Sequence, residues 1–248
     1  MEWRDEGIVI GLRRHGETSS IVEAMTRGHG RHLGLVKGGR SPRLAAALQP
    51  GNTLGLVWRA RLHEQLGYYA VEPLTLRAGR LLPSALALSG LNHLGALLRL
   101  LPERDPHEGL FDGLAMIVEH LDEPALAPAL MARFEARILA ESGFALDLTS
   151  CAATGARDDL VYVSPKSGRA VSRAAGAPWR DRLLPLPAFL LPGAAAPTPT
   201  PDDVDDAFRL TGFFLARELF TPRGLPMPDS RRAFLAAAAG VRSGQDSK

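Results

Sequence analysis

The hydrophobic pattern of the chain changes near Pro83, and this change limits the folds that the chain can adopt. Before it, five short β-prone segments are separated by turn signals at intervals of 10–20 residues, which is typical of small all-β domains. These predicted strands are Gly7–Arg13, Ser19–Thr26, Arg31–Lys37, Thr53–Arg61 and Leu66–Glu72. A short Ala/Leu segment, Leu44–Leu48, separates the third from the fourth. This order predicts a five-stranded OB-fold β-barrel with one helix between its third and fourth strands.

After Pro83 the apolar residues recur at intervals of three and four, as in amphipathic helices. The leucines from Leu88 to Leu101 predict a helix with Ser84 as its N-cap. Asp105-Pro106 predicts the start of a second helix, with Asp105 as the cap. Further helices are predicted over Leu126–Ile138, Asp202–Phe220 and Asp229–Ala239. We therefore expect an α+β protein of two domains, an OB-fold domain over residues 1–80 and an α-helical domain over residues 81–240.

Two segments interrupt the helical pattern of the second domain. Residues 149–178 form a polar insert that contains glycine and one strand-like piece, Leu160–Val163. Residues 185–201 are rich in Pro and Ala, which favours a surface connection. We expect residues 241–248 to form a disordered tail.

Composition excludes several classes of protein. The N-terminus shows no apolar segment of a secretory signal, and no apolar run reaches the ~18 residues that a membrane span needs. The single cysteine, Cys151, cannot form an internal disulfide and fits a reducing compartment. These features predict a cytoplasmic protein without a membrane partner.

Positive charge is concentrated in the first third of the chain. Between Ile10 and Arg61 there are nine Arg or Lys and two acids, a balance of +7, whereas residues from Leu81 onward carry 17 basic and 20 acidic residues. A compositional excess of arginine would be spread evenly, so the clustering itself indicates an anionic partner. A basic OB barrel is typical of proteins that bind single-stranded nucleic acid.

The segment Arg31–Arg43 holds the most specific part of this cluster, because Lys37-Gly38-Gly39-Arg40 directly follows a predicted strand. Glycines let a backbone approach a partner closely, and the flanking cations suit phosphates. The predicted nucleic-acid contacts are Lys37, Arg40 and Arg43, followed by Arg13, Arg14 and Arg31.

Three aromatic residues on the last two predicted strands are candidates for base stacking. Strand side chains alternate in direction, so at most one of Tyr68 and Tyr69 can face a groove. Trp58 suits the core at least as well as a stacking role.

The sequence offers little for catalysis or metal binding. Cys151-Ala-Ala-Thr154 has the spacing of a zinc knuckle but only one sulfur, and a structural zinc site uses four Cys or His ligands. We predict no metal, no cofactor and no catalytic residue. Two alternatives remain open, an OB-fold module that binds RNA and a thiol enzyme built on Cys151.

Several segments in order along the chain resemble the RecO family of recombination-repair proteins. In the first part these are Glu6–Gly11, Gly16–Val22, Thr26–Arg40, Leu48–Pro50 and Tyr68–Glu72. In the second part they are Arg133–Glu135, Leu139, Gly143–Phe144, Leu146–Cys151 and Pro228–Arg232.

The resemblance implies an OB fold, a helical domain and no enzymatic turnover. It also implies binding of single- and double-stranded DNA, annealing of complementary strands, and work with the partner RecR in loading RecA onto gaps coated with single-strand-binding protein. In the family, the helical domain can capture the C-terminal tail of that coating protein. Arg133 and Arg137 are our candidates for the carboxylates of the tail.

One departure from the family pattern concerns zinc, which some members bind through four cysteines. Here Thr154, Ser172 and Ala175 stand at the approximate equivalents of three of them. We therefore expect a degenerate zinc-knuckle-like insert that folds without metal.

Overall fold

The computed structural model describes residues 1–193 and 198–245. Its first five strands close into a barrel in the order β1-β2-β3-β5-β4. They are β1 (Glu2–His15), β2 (Ser19–Thr26), β3 (Gly30–Val36), β4 (Thr53–Arg59) and β5 (Tyr68–Thr75). Neighbours pair antiparallel except β3 and β5, which meet in parallel at Leu35 and Tyr68 and close the barrel. The predicted OB topology is confirmed.

β1 is the long strand that links both halves of the barrel. Its first half pairs with β4 from Glu2 to Ile8, and its second half pairs with β2 from Gly7 to His15. The predicted strand began only at Gly7, because the charged residues before it hide the alternation that turns Trp3 inward against the core. That core consists of inward positions of all five strands, among them Val9, Val22, Val36, Leu56 and Trp58.

Helix α1 (Pro42–Ala47) fills the connection between β3 and β4, as the OB pattern predicts. Proline stands at its first turn, where a missing N–H removes no helical hydrogen bond. Ala47 and Leu48 are buried in the barrel core, with Leu44 packed against it. The helix is thereby fixed to one end of the barrel.

Four more helices belong to the same compact unit as the barrel, which comprises Met1–Ala127 and the segment from Pro228. These are α2 (Ala78–Leu81), α3 (Ala85–Leu98), α4 (Glu108–Glu119) and α8 (Asp229–Gln245). Ser84 caps α3 by accepting the Ala87 N–H, as predicted. The predicted cap of α4 was wrong, since this helix begins at Glu108 with His107 at its N-cap and not at Asp105.

Helix α8 continues to Gln245 from a start that matches the sequence pattern. Its Phe234 is buried, and Gly90 of α3 lies where an added Cβ would come within 3.2 Å of the Phe234 ring. Residues 241–245 are therefore helical where the sequence led us to expect a disordered tail, because a packed helix propagates into a segment without proline. The remaining residues of that expected tail, 246–248, lie outside the described part of the chain.

The second compact unit, Pro128–Met227, contains most of α5 (Ala127–Glu141) and all of α7 (Pro201–Phe214). A three-stranded sheet lies between them in the chain, in the order β7-β6-β8. Its strands are β6 (Leu160–Val163), β7 (Ala170–Ser172) and β8 (Leu184–Pro185), with the short helix α6 (Arg173–Gly176) after β7. The predicted strand in the insert is confirmed, whereas β7 and β8 were missed because they are only three and two residues long.

α7 begins with a capping box that the sequence analysis did not recognise. Thr200 accepts the Asp203 N–H, and the Asp203 carboxylate accepts the Thr200 N–H. A π-helical segment, Leu215–Phe220, extends α7 to the predicted end of the helix. The Pro/Ala-rich connection before it contains β8 and a short 3-10 turn, Ala188–Leu190, and its residues 194–197 lie outside the described part. Among the described residues, no helix has the length and apolar character to cross a membrane.

Candidate nucleic-acid interface

One end of the barrel gathers most of the predicted phosphate contacts. The register places Arg14 opposite Ser20, and Ser20 opposite Val36, so the end of β1, the start of β2 and the end of β3 lie side by side. The loop 37–41 leaves the sheet directly after Val36 and leads into α1. We call this end of the barrel, with Arg13, Arg14, Lys37, Arg40 and Arg43, the basic end.

Hydrogen bonds hold the loop of the basic end against the β1–β2 turn. The Arg40 N–H donates to the Thr18 carbonyl at 3.0 Å, and the Arg40 guanidinium donates to the carbonyls of Glu17 and Gly16. Gly38 adopts a φ of +65°, a conformation that side chains disfavour. At Gly39 an added Cβ would lie 3.0 Å from the Ser20 Cβ, so the two glycines allow the loop to pack closely. The loop is therefore a fixed element with its own cations.

The cations of the basic end face solvent. Arg13, Arg14, Lys37 and Arg43 are exposed, and none of them forms an ion pair with any residue that the structure describes. Arg40 is exposed too, with part of its guanidinium bonded to the turn. Exposed cations on a rigid frame can neutralise successive phosphates of a nucleic-acid strand.

Arg31 has a different environment from the other predicted contacts. Its side chain is only 12% exposed, and its guanidinium lies 2.9 Å from Glu23 and 3.4 Å from Glu103. Glu23 also binds Arg99 at 2.6 Å, and Gly11 leaves the space for this pair, since a Cβ there would meet both groups. Arg31 is thus a member of a compensated cluster of charges, unlike the cations of the basic end.

This cluster, together with Arg13 of the basic end, lines a groove of about 330 Å³ on the outer face of β1–β3. Sequence reasoning counted Glu23 only as one of two acids in a basic stretch. The available signal was its place in β2, where a carboxylate among apolar residues at the middle of a strand requires a cationic partner.

Of the three candidate aromatic residues, two point into the core and one points outward, and Tyr68 and Tyr69 face opposite sides as strand alternation requires. Trp58 is buried, and its Nε1–H donates to the Leu66 carbonyl at 3.0 Å. Tyr69 is buried with its hydroxyl 3.1 Å from His32 Nδ1, and burial raises the pKa of Tyr69. Tyr68 is 49% exposed. Of the three, only Tyr68 can meet a ligand.

Burial also perturbs His32, which lies beneath Trp3 and Trp58 in the barrel. Burial, together with the positive charge of Arg104, lowers the pKa of His32 to about 4. The imidazole is therefore neutral at physiological pH.

Arg133 and Arg137, the predicted contacts for a partner's carboxylates, lie on α5. Arg133 Nε donates to the Phe189 carbonyl at 3.1 Å, and its guanidinium lies 5.6 Å from the centre of the Phe189 ring. Arg137 is exposed and forms an i,i+4 ion pair with Glu141 at 3.1 Å. Arg133 is thus held against Phe189, whereas Arg137 contacts only its own helix through Glu141.

The insert places Cys151 where the knuckle pattern suggests. Its sulfur is buried and accepts the Ser172 N–H at 3.3 Å, so two of the knuckle positions lie together. Burial acts to raise the pKa of the Cys151 thiol, but hydrogen bonds with Ser172, Thr154 and the backbone outweigh it and lower this pKa to about 6. No group of three His, Cys, Asp or Glu side chains that could hold a metal exists within residues 1–193 and 198–245.

Comparisons with known proteins agree over most of the chain. Residues 1–76 match the family model described as Recombination protein O N terminal, and residues 83–225 match Recombination protein O C terminal. A protein of Methylocella silvestris named DNA repair protein RecO is 63% identical over 236 residues, which cover 95% of each chain. A protein of the same name from Methylorubrum populi is 59% identical over 246 residues, or 98% of this chain and 100% of that one.

Proposed function

Because the chain belongs to the RecO family of DNA repair proteins, we propose that it binds single- and double-stranded DNA at the basic end of the barrel and anneals complementary strands. The mechanism is physical. Cations neutralise phosphates on two strands, reduce the repulsion between them and hold them together long enough to pair. No covalent step is involved, and the protein is not an enzyme.

One observation supports this function above the others, namely the state of the cations at the basic end. All five exposed basic side chains there have no ion-pair partner among the described residues, and they are presented by a strand end, a fixed loop and a packed helix. Uncompensated charge on a rigid frame is positioned to exchange counterions for phosphates, which favours association with DNA at low salt.

The proposed partners follow from the family and concern both units. We propose that the chain acts with RecR to assist RecA loading onto gaps coated with single-strand-binding protein. Arg137 and Arg133 are the proposed contacts for the C-terminal tail of that coating protein, since guanidinium groups pair with carboxylates in planar geometry. We place this activity in the cytoplasm, at the nucleoid.

Annealing of two complementary fluorescent oligonucleotides tests the proposed function. The wild-type chain is expected to accelerate annealing, with the acceleration falling as salt rises. The triple variant Lys37→Glu/Arg40→Glu/Arg43→Glu is expected to lose it, because it reverses three charges at the basic end. Acceleration that the triple variant retains would place DNA binding elsewhere, and no acceleration by the wild type would refute the function. RNA competitors added to the same assay distinguish a DNA preference from an RNA preference.

A further inference from the structure

A half-exposed tyrosine stands beside the basic end, on the outer face of the barrel. Tyr68 opens β5 and points outward, whereas its neighbour Tyr69 enters the core. The Lys37 ammonium lies 4.6 Å from the centre of the Tyr68 ring. The Tyr68 ring lies outside the core. It is on the outer face of the sheet, next to Lys37 in the loop of the basic end.

The ring borders a cavity of about 350 Å³, which lies within the size range of small-ligand clefts, roughly 300–1,000 Å³. Strand register explains the composition of its walls. Arg59 of β4 lies opposite Tyr68 of β5, and Val57 lies opposite Ala70. A cation is therefore paired with the aromatic ring, and the next outward-facing pair consists of two small apolar side chains. Lys37 stands at its rim together with Arg59.

A second shallow cavity extends this surface along the same strands. It also has a volume of about 350 Å³ and shares Val57 and Ala70 with the first. Arg4 of β1 lines it, opposite Val57 in the strand register. Arg59 is held at the rim of the first cavity by two hydrogen bonds to Glu2, at 2.8 and 3.2 Å. The outer face of β1, β4 and β5 thus offers an apolar floor beside Tyr68, with Arg59 and Arg4 along it and the acidic residues Asp5 and Glu72 at the second cavity.

We infer that the cavity at Tyr68 binds an unpaired nucleobase of single-stranded DNA, with the base stacked on the Tyr68 ring and Lys37 on the flanking phosphate. This inference rests on the proposed function and adds to it a face of the barrel and a class of ligand. Stacking on an aromatic ring suits any base, because each base has a π-face, and a nearby cation holds the backbone. The groove on β1–β3 has the exposed Arg13 but no aromatic residue in its lining, and its Arg31 and Arg99 are paired with Glu23.

By this inference, Tyr68 contributes to the binding of single-stranded DNA and not to the binding of duplex DNA. Bases in a duplex are already stacked and paired, so the Tyr68 ring gains nothing from them, whereas the cations of the basic end meet phosphates in both forms. Removing the ring should therefore weaken binding to single strands and leave the affinity for duplex unchanged. It should also leave the salt dependence unchanged, since it removes no charge.

The test measures the dissociation constant of the full chain for a single-stranded oligonucleotide that contains 2-aminopurine, and for the matching duplex, at several salt concentrations. Tyr68→Ala is expected to weaken single-strand binding about tenfold and to abolish the stacking-dependent fluorescence change. Tyr68→Phe keeps the ring and is expected to retain both. Trp179→Ala is the matched control, because Trp179 is also an exposed aromatic residue with an arginine, Arg182, over its ring, but it lies in the second unit.

The triple variant of the basic end, measured in parallel, separates the two proposals. If Tyr68→Ala binds single strands as tightly as the wild type while the triple variant does not, base stacking at Tyr68 is refuted and the proposed function stands. If neither variant loses affinity, both proposals are refuted. Tyr68→Leu, which preserves apolar bulk without a ring, replaces Tyr68→Ala if circular dichroism shows that the alanine variant is misfolded.

Discussion

Basic residues stand at both ends of β3, but they are paired with acids at one end and exposed without an acidic partner at the other. At its start, Arg31 is paired with Glu23 and Glu103, and His32 beside it is buried and neutral. Just past its other end, Lys37 is exposed and leads into the loop that presents Arg40 and Arg43. Lys37 lies six positions after Arg31, about 20 Å along an extended strand. One short element therefore joins charge that stabilises the fold to charge that is available to a ligand.

This difference shows why a count of cations cannot locate a binding site. The sequence assigns +7 to the stretch Ile10–Arg61 without distinguishing its members. In the structure, Arg31 belongs to the cluster around the buried Glu23, while Lys37, Arg14 and Arg43 have no ion-pair partner within the described residues. Only uncompensated cations release counterions to phosphates without first giving up a protein partner.

The largest expected effect comes from Glu23, because removing one partner of a buried ion pair leaves the other charge uncompensated. Glu23→Gln is expected to lower the free energy of unfolding by about 3–5 kcal/mol, measured by urea denaturation. The variant also frees Arg31 and Arg99 from their shared carboxylate, so DNA binding is confined to the basic end only if the affinity of the folded variant for DNA does not change. An increase in DNA affinity would mean that the groove at Arg31 is itself a DNA site, and the two ends of β3 would no longer differ.

Glu103→Gln provides the control for that experiment. Glu103 also contacts Arg31, but at 3.4 Å and from an exposed position. We expect it to change the free energy of unfolding by less than about 1 kcal/mol. An equal decrease in both variants would indicate a general effect of charge rather than the buried contact of Glu23.

The pH dependence of stability tests the buried state of His32. Its pKa falls from 6.5 to about 4 on folding, so the unfolded chain binds more protons between these values. Stability should therefore fall as pH decreases from 6.5 toward 4, by up to about 3 kcal/mol from this group. Comparison of the wild type with His32→Gln in urea denaturation at pH 7.5 and pH 4 isolates this contribution. Parallel pH profiles of the two proteins would show that His32 is not kept neutral by the fold.

A smaller effect than those of Glu23 and His32 concerns Arg40, which is both hydrogen-bonded to the fold and exposed to a ligand. Arg40→Lys keeps the charge but removes the guanidinium hydrogen bonds to the Glu17 and Gly16 carbonyls. We expect a decrease of about 1 kcal/mol in the free energy of unfolding and an unchanged slope of DNA affinity against salt. A reduced slope would show that the loop must be fixed by Arg40 for its neighbours to reach phosphate.

Much of the fold was predictable because it follows from local patterns. Alternation of apolar residues located the five strands, and it also required Tyr68 and Tyr69 to point apart. The pairing of Glu23 with Arg99 was not predictable, since these residues are 76 positions apart and meet only because α3 ends beside β1 and β2. The start of α4 was misplaced because the Asp-Pro pattern favours a cap at Asp105, whereas the helix begins two residues beyond Pro106. Local sequence thus predicts elements, and tertiary structure decides which cations are compensated.

The most direct test of the central claim compares the salt dependence of single-stranded DNA affinity in two double variants. Lys37→Gln/Arg43→Gln removes two uncompensated cations, and Arg27→Gln/Arg99→Gln removes two that are paired with Glu6, Asp112 and Glu23. The first variant is expected to reduce the slope of log affinity against log salt by about 1.4, at about 0.7 for each phosphate that is no longer neutralised. The second is expected to leave the slope unchanged. Equal reductions in both variants would contradict the account, because DNA would then respond to the number of cations and not to their pairing.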